Sequence, residues 1–212
     1  MKIVSRETIF YVDSVLKIFY TIRGTANMYL IWSDSEESSH TCLCLRVPLF
    51  YIMKSIHEHY MQLALKEAEK AKEIDEVPVG AVIVKDGKVI ARAHNLKEKK
   101  KLSYAHAEML AIEKASKKTG NYYLNDCDLY VTLEPCMMCT GNIVLSRIRH
   151  VYYGTKDPKG GCMDSVIQLE KLKKINHHPQ ITYGVLQEEC AAILKKFFKL
   201  KRELKKNQQN TK

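Results

Sequence analysis

Residues 80–93 read Gly80-Ala81-Val82-Ile83-Val84-Lys85-Asp86-Gly87-Lys88-Val89-Ile90-Ala91-Arg92-Ala93. Two apolar, β-branched runs flank Asp86-Gly87, a dipeptide suited to the positive φ angles of a two-residue hairpin turn. The stretch predicts two antiparallel strands, 80–84 and 88–93. On its N-terminal side Ile56, Tyr60, Leu63, Ala64 and Ala71 recur on one face of a helix opening near Met53, whose other face is Lys and Glu. On its C-terminal side the pattern predicts a helix over 106–117, a strand over 129–132, a helix over 136–146 and a strand over 150–153. A short helix near 164–172, a strand over 181–183 and a last helix from 186 to about 205 complete the set. Strands and helices that alternate in this way predict an α/β fold, a three-layer α/β/α domain with a mixed five-stranded sheet.

With 212 residues, 46% hydrophobic and 27% charged, the chain has the size and composition of one globular domain with a real core. Its formal net charge of +10 is unevenly placed, since residues 1–52 hold five bases and five acids. Residues 53–212 carry the whole excess, which suits a polyanionic partner such as nucleic acid. Seven cysteines, an odd number spread along the chain, fit reduced thiols and metal ligation better than a disulfide framework, which points to the cytoplasm. Asp13, Lys17 and Arg23 interrupt the most hydrophobic early stretch, so no apolar run reaches the roughly 18 residues of a membrane span.

The domain organisation follows from the same contrast. Residues 1–52 read as an N-terminal extension, either upstream of the native protein or dispensable to it. Ile9, Val12, Leu16 and Phe19 lie at helical spacing, so an amphipathic or organelle-targeting helix is the alternative. Residues 53–206 form the main domain, and 207–212 read as a frayed polar tail.

Within the main domain, Pro135-Cys136-Met137-Met138-Cys139 carries the most specific local signal. Proline favours the first position of a helix, so the two cysteines fall in its opening turns, three apart and on one face. They can share one tetrahedral ion, and the helix N-terminus favours their thiolates. A Cys-x-x-Cys pair could instead be a redox couple. His106-Ala107-Glu108 weighs against that, because it supplies a third ligand and a carboxylate that need not bind metal. Three protein ligands leave a fourth position for water, the arrangement of a catalytic zinc site. Cys127, Cys162 and Cys190 could close such a site but lack paired spacing, and with Cys42 and Cys44 they read as small hydrophobes.

The combination of His106-x-Glu108 with Pro135-Cys136-x-x-Cys139 resembles the cytidine and deoxycytidylate deaminase superfamily. Glu76-Val77-Pro78-Val79-Gly80-Ala81-Val82, Asn95, Val131-Thr132-Leu133-Glu134, Gly154-Thr155-Lys156-Asp157 and Glu189-Cys190-Ala191-Ala192 narrow this to a resemblance with bacterial tRNA adenosine deaminases of the TadA type, running from about 57 to 202. The resemblance implies a cytidine-deaminase-like fold and one Zn2+ per chain on His106, Cys136 and Cys139. It further implies a zinc-activated water that attacks a flipped-out adenine, and a Glu108 that shuttles protons to the ring and the departing ammonia. The product would be inosine at the wobble position of a tRNA anticodon. By the same resemblance Asn95 contacts the target nucleotide, Val77, Pro78 and Val79 wall the base pocket, Asp157 lies near the substrate strand, and the partners are a tRNA anticodon stem-loop and a second copy of the chain. Ordinary core packing is the alternative for Val77 and Val79, and a turn residue for Asp157. At the end of the last helix Lys201-Arg202 stands where the family commonly has two arginines, and lysine lacks the bidentate fork for phosphate. Two rivals remain open from sequence: a deaminase of a free base, and a non-catalytic, zinc-stabilised RNA-binding module.

Overall fold

A computed structural model of the chain describes residues 27–30 and 45–210. The chain divides into two compact units, Met1–Ile56 and His57–Lys212. In the first unit, β1 (Asn27–Leu30) and β2 (Leu45–Pro48) pair antiparallel. The helix expected around Ile9 to Phe19, and Cys42 and Cys44, lie outside the described residues. Helix α1 (Leu49–Glu73) begins four residues ahead of Met53.

The second unit holds the mixed five-stranded sheet, ordered β4-β3-β5-β6-β7. Strands β3 (Gly80–Lys85) and β4 (Lys88–His94) form the hairpin read from sequence. Asp86 and Gly87 both take positive φ, 48° and 72°, as a type I′ turn requires. Strand β5 (Cys127–Leu133) runs antiparallel to β3 and parallel to β6 (His150–Thr155), which is parallel to β7 (Gln180–Tyr183).

Both faces of this sheet are covered, as parallel strands demand. Ala81, Ile83, Leu129, Val131, Val151 and Tyr153 pack with α3 (Ala107–Thr119) and with Ile143 of α4 (Met137–Leu145). Val82, Val84, Tyr130 and Tyr152 face the other way, onto Met61 and Ala64 of α1 and Cys190 of α5 (Gln187–Asn210). Two glycines let those helices approach. A Cβ on Gly80 would sit 2.0 Å from the Ala64 carbonyl oxygen, and one on Gly154 would sit 2.3 Å from Cys190 Sγ. Alanine at either position therefore forces a helix off the sheet.

Three elements differ from expectation. A four-residue helix, α2 (Lys97–Lys100), stands where none was read, closed by Lys101 in the left-handed region at φ 55°. The stretch over 164–172 is turns and bends with only a 3₁₀ turn at Leu169–Lys171, because the N–H groups of Asp164 and Ser165 at its start are drawn onto the buried Glu134 carboxylate. Helix α5 continues to Asn210, through residues expected to fray, since Lys, Asn and Gln interrupt it with neither Gly nor Pro. Among the described residues no helix is long and apolar enough to cross a membrane.

Candidate active site

The ends of several strands meet at one edge of the sheet, outside the carboxyl ends of parallel β5 and β6, where ligand sites of open α/β sheets form. Val77 and Val79 precede β3, Asn95 follows β4, Glu134 and Cys136 follow β5, and Asp157 follows β6. Together with Glu76, Lys97, Glu98, His106, Glu108 and Leu133 they line a cavity of about 240 Å³.

Two helix N-termini close its floor. His106 is the N-cap of α3 and Cys136 the N-cap of α4, both extended, and neither side chain caps its own helix. Ser, Thr, Asp or Asn would normally occupy such positions. Here the side chains are turned toward each other instead: His106 Nδ1 lies 3.7 Å from Cys136 Sγ and 3.6 Å from Cys139 Sγ. All three ligand atoms lie within 4.8 Å of one another, a group that could hold a metal ion.

The missing cap on α3 is supplied from outside. Asn95 Oδ1 accepts from the Ala107 backbone N–H at 2.9 Å, and Asn95 Nδ2 donates to the Val77 carbonyl at 3.1 Å. The amide thus ties the start of α3 to the 77–79 wall, and among the described residues nothing else bonds its second N–H or remaining lone pair. Pro78 is buried but is not among the residues that line the cavity.

Electrostatics distinguish the titratable groups. Glu108, in the first turn of α3 and only 4% exposed, is raised to about 7 by burial, against the opposing pull of a backbone hydrogen bond and His106. The Cys136 thiol is lowered to about 4, first by the hydrogen bond from Cys139, then, against its burial, by His106. Cys139 is pushed upward by that same bond and by burial. A cation displacing the shared proton would meet two thiolates. Burial raises Cys127 to about 11 and Cys190 to about 12, and raises Cys162 as well, so these three behave as inert apolar side chains.

The remaining residues singled out in the sequence lie apart from this floor. Lys201 forms an ion pair with Asp75, and its ammonium stands 5.6 Å from the centre of the Phe197 ring. Arg202 is exposed on α5, and neither residue lines the cavity. Sequence reasoning missed Glu76 and Glu134, although both fall inside the motifs that carry the resemblance. Both are almost wholly buried, and the Glu76 carboxylate accepts from the Lys99 N–H at 2.7 Å, which fixes α2 to the pocket wall.

A family model for MafB19-like deaminases matches residues 55–202. A tRNA-specific adenosine deaminase of Bacillus subtilis (strain 168) is 51% identical over 149 residues, covering 70% of this chain and 92% of that one. One from Agrobacterium fabrum is 46% identical over 144 residues, covering 68% and 95%. A solved structure from work on A-to-I editing by tRNA A34 deaminases at the wobble position of transfer RNA is 46% identical with a TM-score of 0.63, covering 64% of this chain and 99% of that one. A guanine deaminase from Nitrosomonas europaea, 21% identical with a TM-score of 0.56, shares the fold. The chain belongs to the MafB19-like deaminases and to the family of the tRNA-specific adenosine deaminases.

Proposed function

We propose that this chain is a zinc-dependent deaminase that converts adenosine to inosine at the wobble position of a tRNA anticodon. The observation that carries the reading is a buried Glu108 carboxyl beside the His106, Cys136 and Cys139 group, on the floor of one cavity. The donor set fits zinc. Nitrogen and sulfur ligands at tetrahedral angles and ordinary zinc bond lengths stand roughly 3.6 Å apart, which is the spacing of His106 from both cysteines. Zinc held there supplies Lewis acidity, lowering the pKa of a water toward neutrality.

The chain's own residues do the rest. Glu108, with a pKa near neutrality, can take a proton from water, give it to the purine ring and deliver another to the departing amine. Water and adenosine become inosine and ammonia. Glu108 is not a ligand in this scheme, whereas His106, Cys136 and Cys139 are. At about 240 Å³ the cavity is smaller than the usual site for a drug-sized ligand, so it suits one flipped-out base with the remaining RNA lying outside. Val77 and Val79 wall the base, Asn95 offers its free N–H and lone pair to the nucleotide, and Asp157 places an acceptor at the rim. Pro78 contributes behind the wall.

Incubation with tRNA transcripts, read for inosine by sequencing beside free adenosine, guanine and cytosine, tests the reading. The full chain and a chain starting at Met53 are both expected to make inosine at the first anticodon position at similar rates, because the family match begins at residue 55. Turnover of a free base with tRNA untouched would overturn the substrate. An inactive Met53 chain would make residues 1–52 part of the working protein. Such a substrate and free cysteines suit the cytoplasm, which cell fractionation checks.

Lys201 and Arg202 are proposed to grip phosphate outside the cavity. The exposed ion pair of Lys201 with Asp75 is no obstacle, since such pairs contribute little and a phosphate can replace the carboxylate. Affinity for tRNA should therefore fall steeply with salt, and Lys201→Glu with Arg202→Glu should flatten that slope by about 1 per lost contact while metal content holds. Unchanged affinity and slope in a binding titration would reduce this stretch of α5 to a solvated face.

A homodimer completes the proposal. On α4, Met137, Gly141 and Leu145 recur at intervals of four, all exposed, with Met137 at 64% and Leu145 at 68%. An apolar stripe of this kind on the helix that carries Cys139 suits a self-complementary interface. Sedimentation velocity is expected to give twice the chain mass for the wild type and the chain mass for Leu145→Glu. A monomeric wild type at micromolar concentration would refute the dimer.

A further inference from the structure

Glu134 sits between β5 and Pro135, is 2% exposed, and has no part in the proton chemistry above. Burial alone would raise its pKa, but the hydrogen bonds it accepts outweigh that and hold it below the usual carboxylate range. Its Oε1 accepts from three successive backbone N–H groups, those of Met163 at 3.2 Å, Asp164 at 2.8 Å and Ser165 at 2.9 Å. Its Oε2 accepts from the Asp157 N–H at 3.0 Å and from the Ser165 hydroxyl at 2.5 Å. Consecutive N–H groups converging on one anion form a nest, and here the protein supplies the anion itself.

Both ends of the 157–165 loop therefore hang on a single carboxylate. A Cβ on Gly161 would fall 2.3 Å from the Glu134 carboxyl carbon, so only glycine lets the middle of the loop lie over the acid. Two further contacts lay the loop along the cysteine motif: the Cys162 N–H donates to the Pro135 carbonyl at 2.8 Å, and Gly161 forms a bridge with Cys136. Asp157, the loop's first anchored residue, lines the cavity together with Glu134.

We propose that Glu134 is a positioning residue for substrate, which gathers the 157–165 loop and thereby sets the Asp157 carboxylate at the rim of the pocket. The inference rests on the tRNA reading above. Glu134→Gln keeps the shape but offers one weaker acceptor and an amide whose N–H groups point at N–H donors, so part of the loop must let go. A displaced Asp157 gives up a rim contact made alike in the ground state and the transition state, and it leaves the proton carrier untouched. The effect thus belongs in KM rather than kcat.

The test is a double-mutant cycle. Glu134→Gln and Ser165→Ala are made alone and in an Asp157→Ala background, and each protein is measured for metal content, melting temperature, kcat and KM on tRNA. Glu134→Gln is expected to raise KM about tenfold, the scale of one lost hydrogen bond to a charged group. Ser165→Ala, which removes a single side-chain bond, should raise it about twofold. In both, kcat stays within about twofold and metal content near one per chain, and both KM effects vanish when Asp157 is already alanine. If Glu134→Gln does not fold, Ser165→Ala alone carries the cycle. KM effects that persist in the Asp157→Ala background, or a fall in melting temperature with KM unchanged, would overturn the inference. A wild type that makes no inosine removes the tRNA reading and this inference with it, whereas an active wild type with additive effects removes only the inference.

Discussion

Glu108→Gln is expected to lower kcat by about a hundredfold to ten-thousandfold, the range of a lost general acid–base group, while metal content stays near one per chain. Glutamine preserves the shape of the side chain and removes only its proton chemistry. Glu108→Ala should give the same loss. A second measurement separates this role from a structural one. The carboxyl binds its proton more tightly folded than unfolded, with its pKa raised to about 7 by burial. In metal-free protein it therefore stabilises the fold fully below the unfolded value, and that contribution is lost as pH rises from about 4.5 through 7. Between pH 5 and pH 8 the metal-free wild type should lose stability that Glu108→Gln keeps, as measured by urea unfolding. Near-normal turnover in either variant would end the assignment of Glu108 as proton carrier.

Much of the fold was legible because local rules act alone there. Asp86-Gly87 permits one tight turn, and the β-branched runs beside it have no better use than pairing. The site was legible for a different reason: Cys136-x-x-Cys139 and His106-x-Glu108 show metal-ligand spacing and a carboxylate that need not bind metal, chemistry that short motifs carry on their face. What sequence could not supply is what depends on partners far along the chain. The turns over 157–165 follow from Glu134, 23 to 31 residues away, so a stretch with helical periodicity near 164–172 is held open by a carboxylate that no periodicity reports. Asn95 was legible as a pocket residue but not as the cap of α3, because its two hydrogen bonds reach 12 residues forward and 18 back. Lys201 read as a cation at the end of the last helix, and its pairing with Asp75 spans 126 residues.

Removing a ligand should cost metal, activity and stability together, and the reason lies in where the ligands are placed. His106 stands at the N-cap position of α3 and Cys136 at that of α4, so an ion shared by them and Cys139 joins two helix starts. A ligand that binds only the folded chain adds about 2.7 kcal/mol at a hundred times its dissociation constant. For a chain of this size that is a melting-temperature rise of roughly 5–10 °C. Wild type stripped by a chelator is expected to melt lower by about that amount and to recover both melting temperature and deaminase activity when zinc is returned. Cys136→Ala and His106→Ala should behave like the stripped protein from the start, with activity at background, metal content near zero and no response of the melting temperature to added zinc. Glu108→Gln supplies the contrast, since it lacks activity yet should still respond to zinc. If Cys136→Ala retains a full equivalent of metal, the ion is held by a donor set other than His106, Cys136 and Cys139, and Glu108 would have to be reconsidered as one of its ligands.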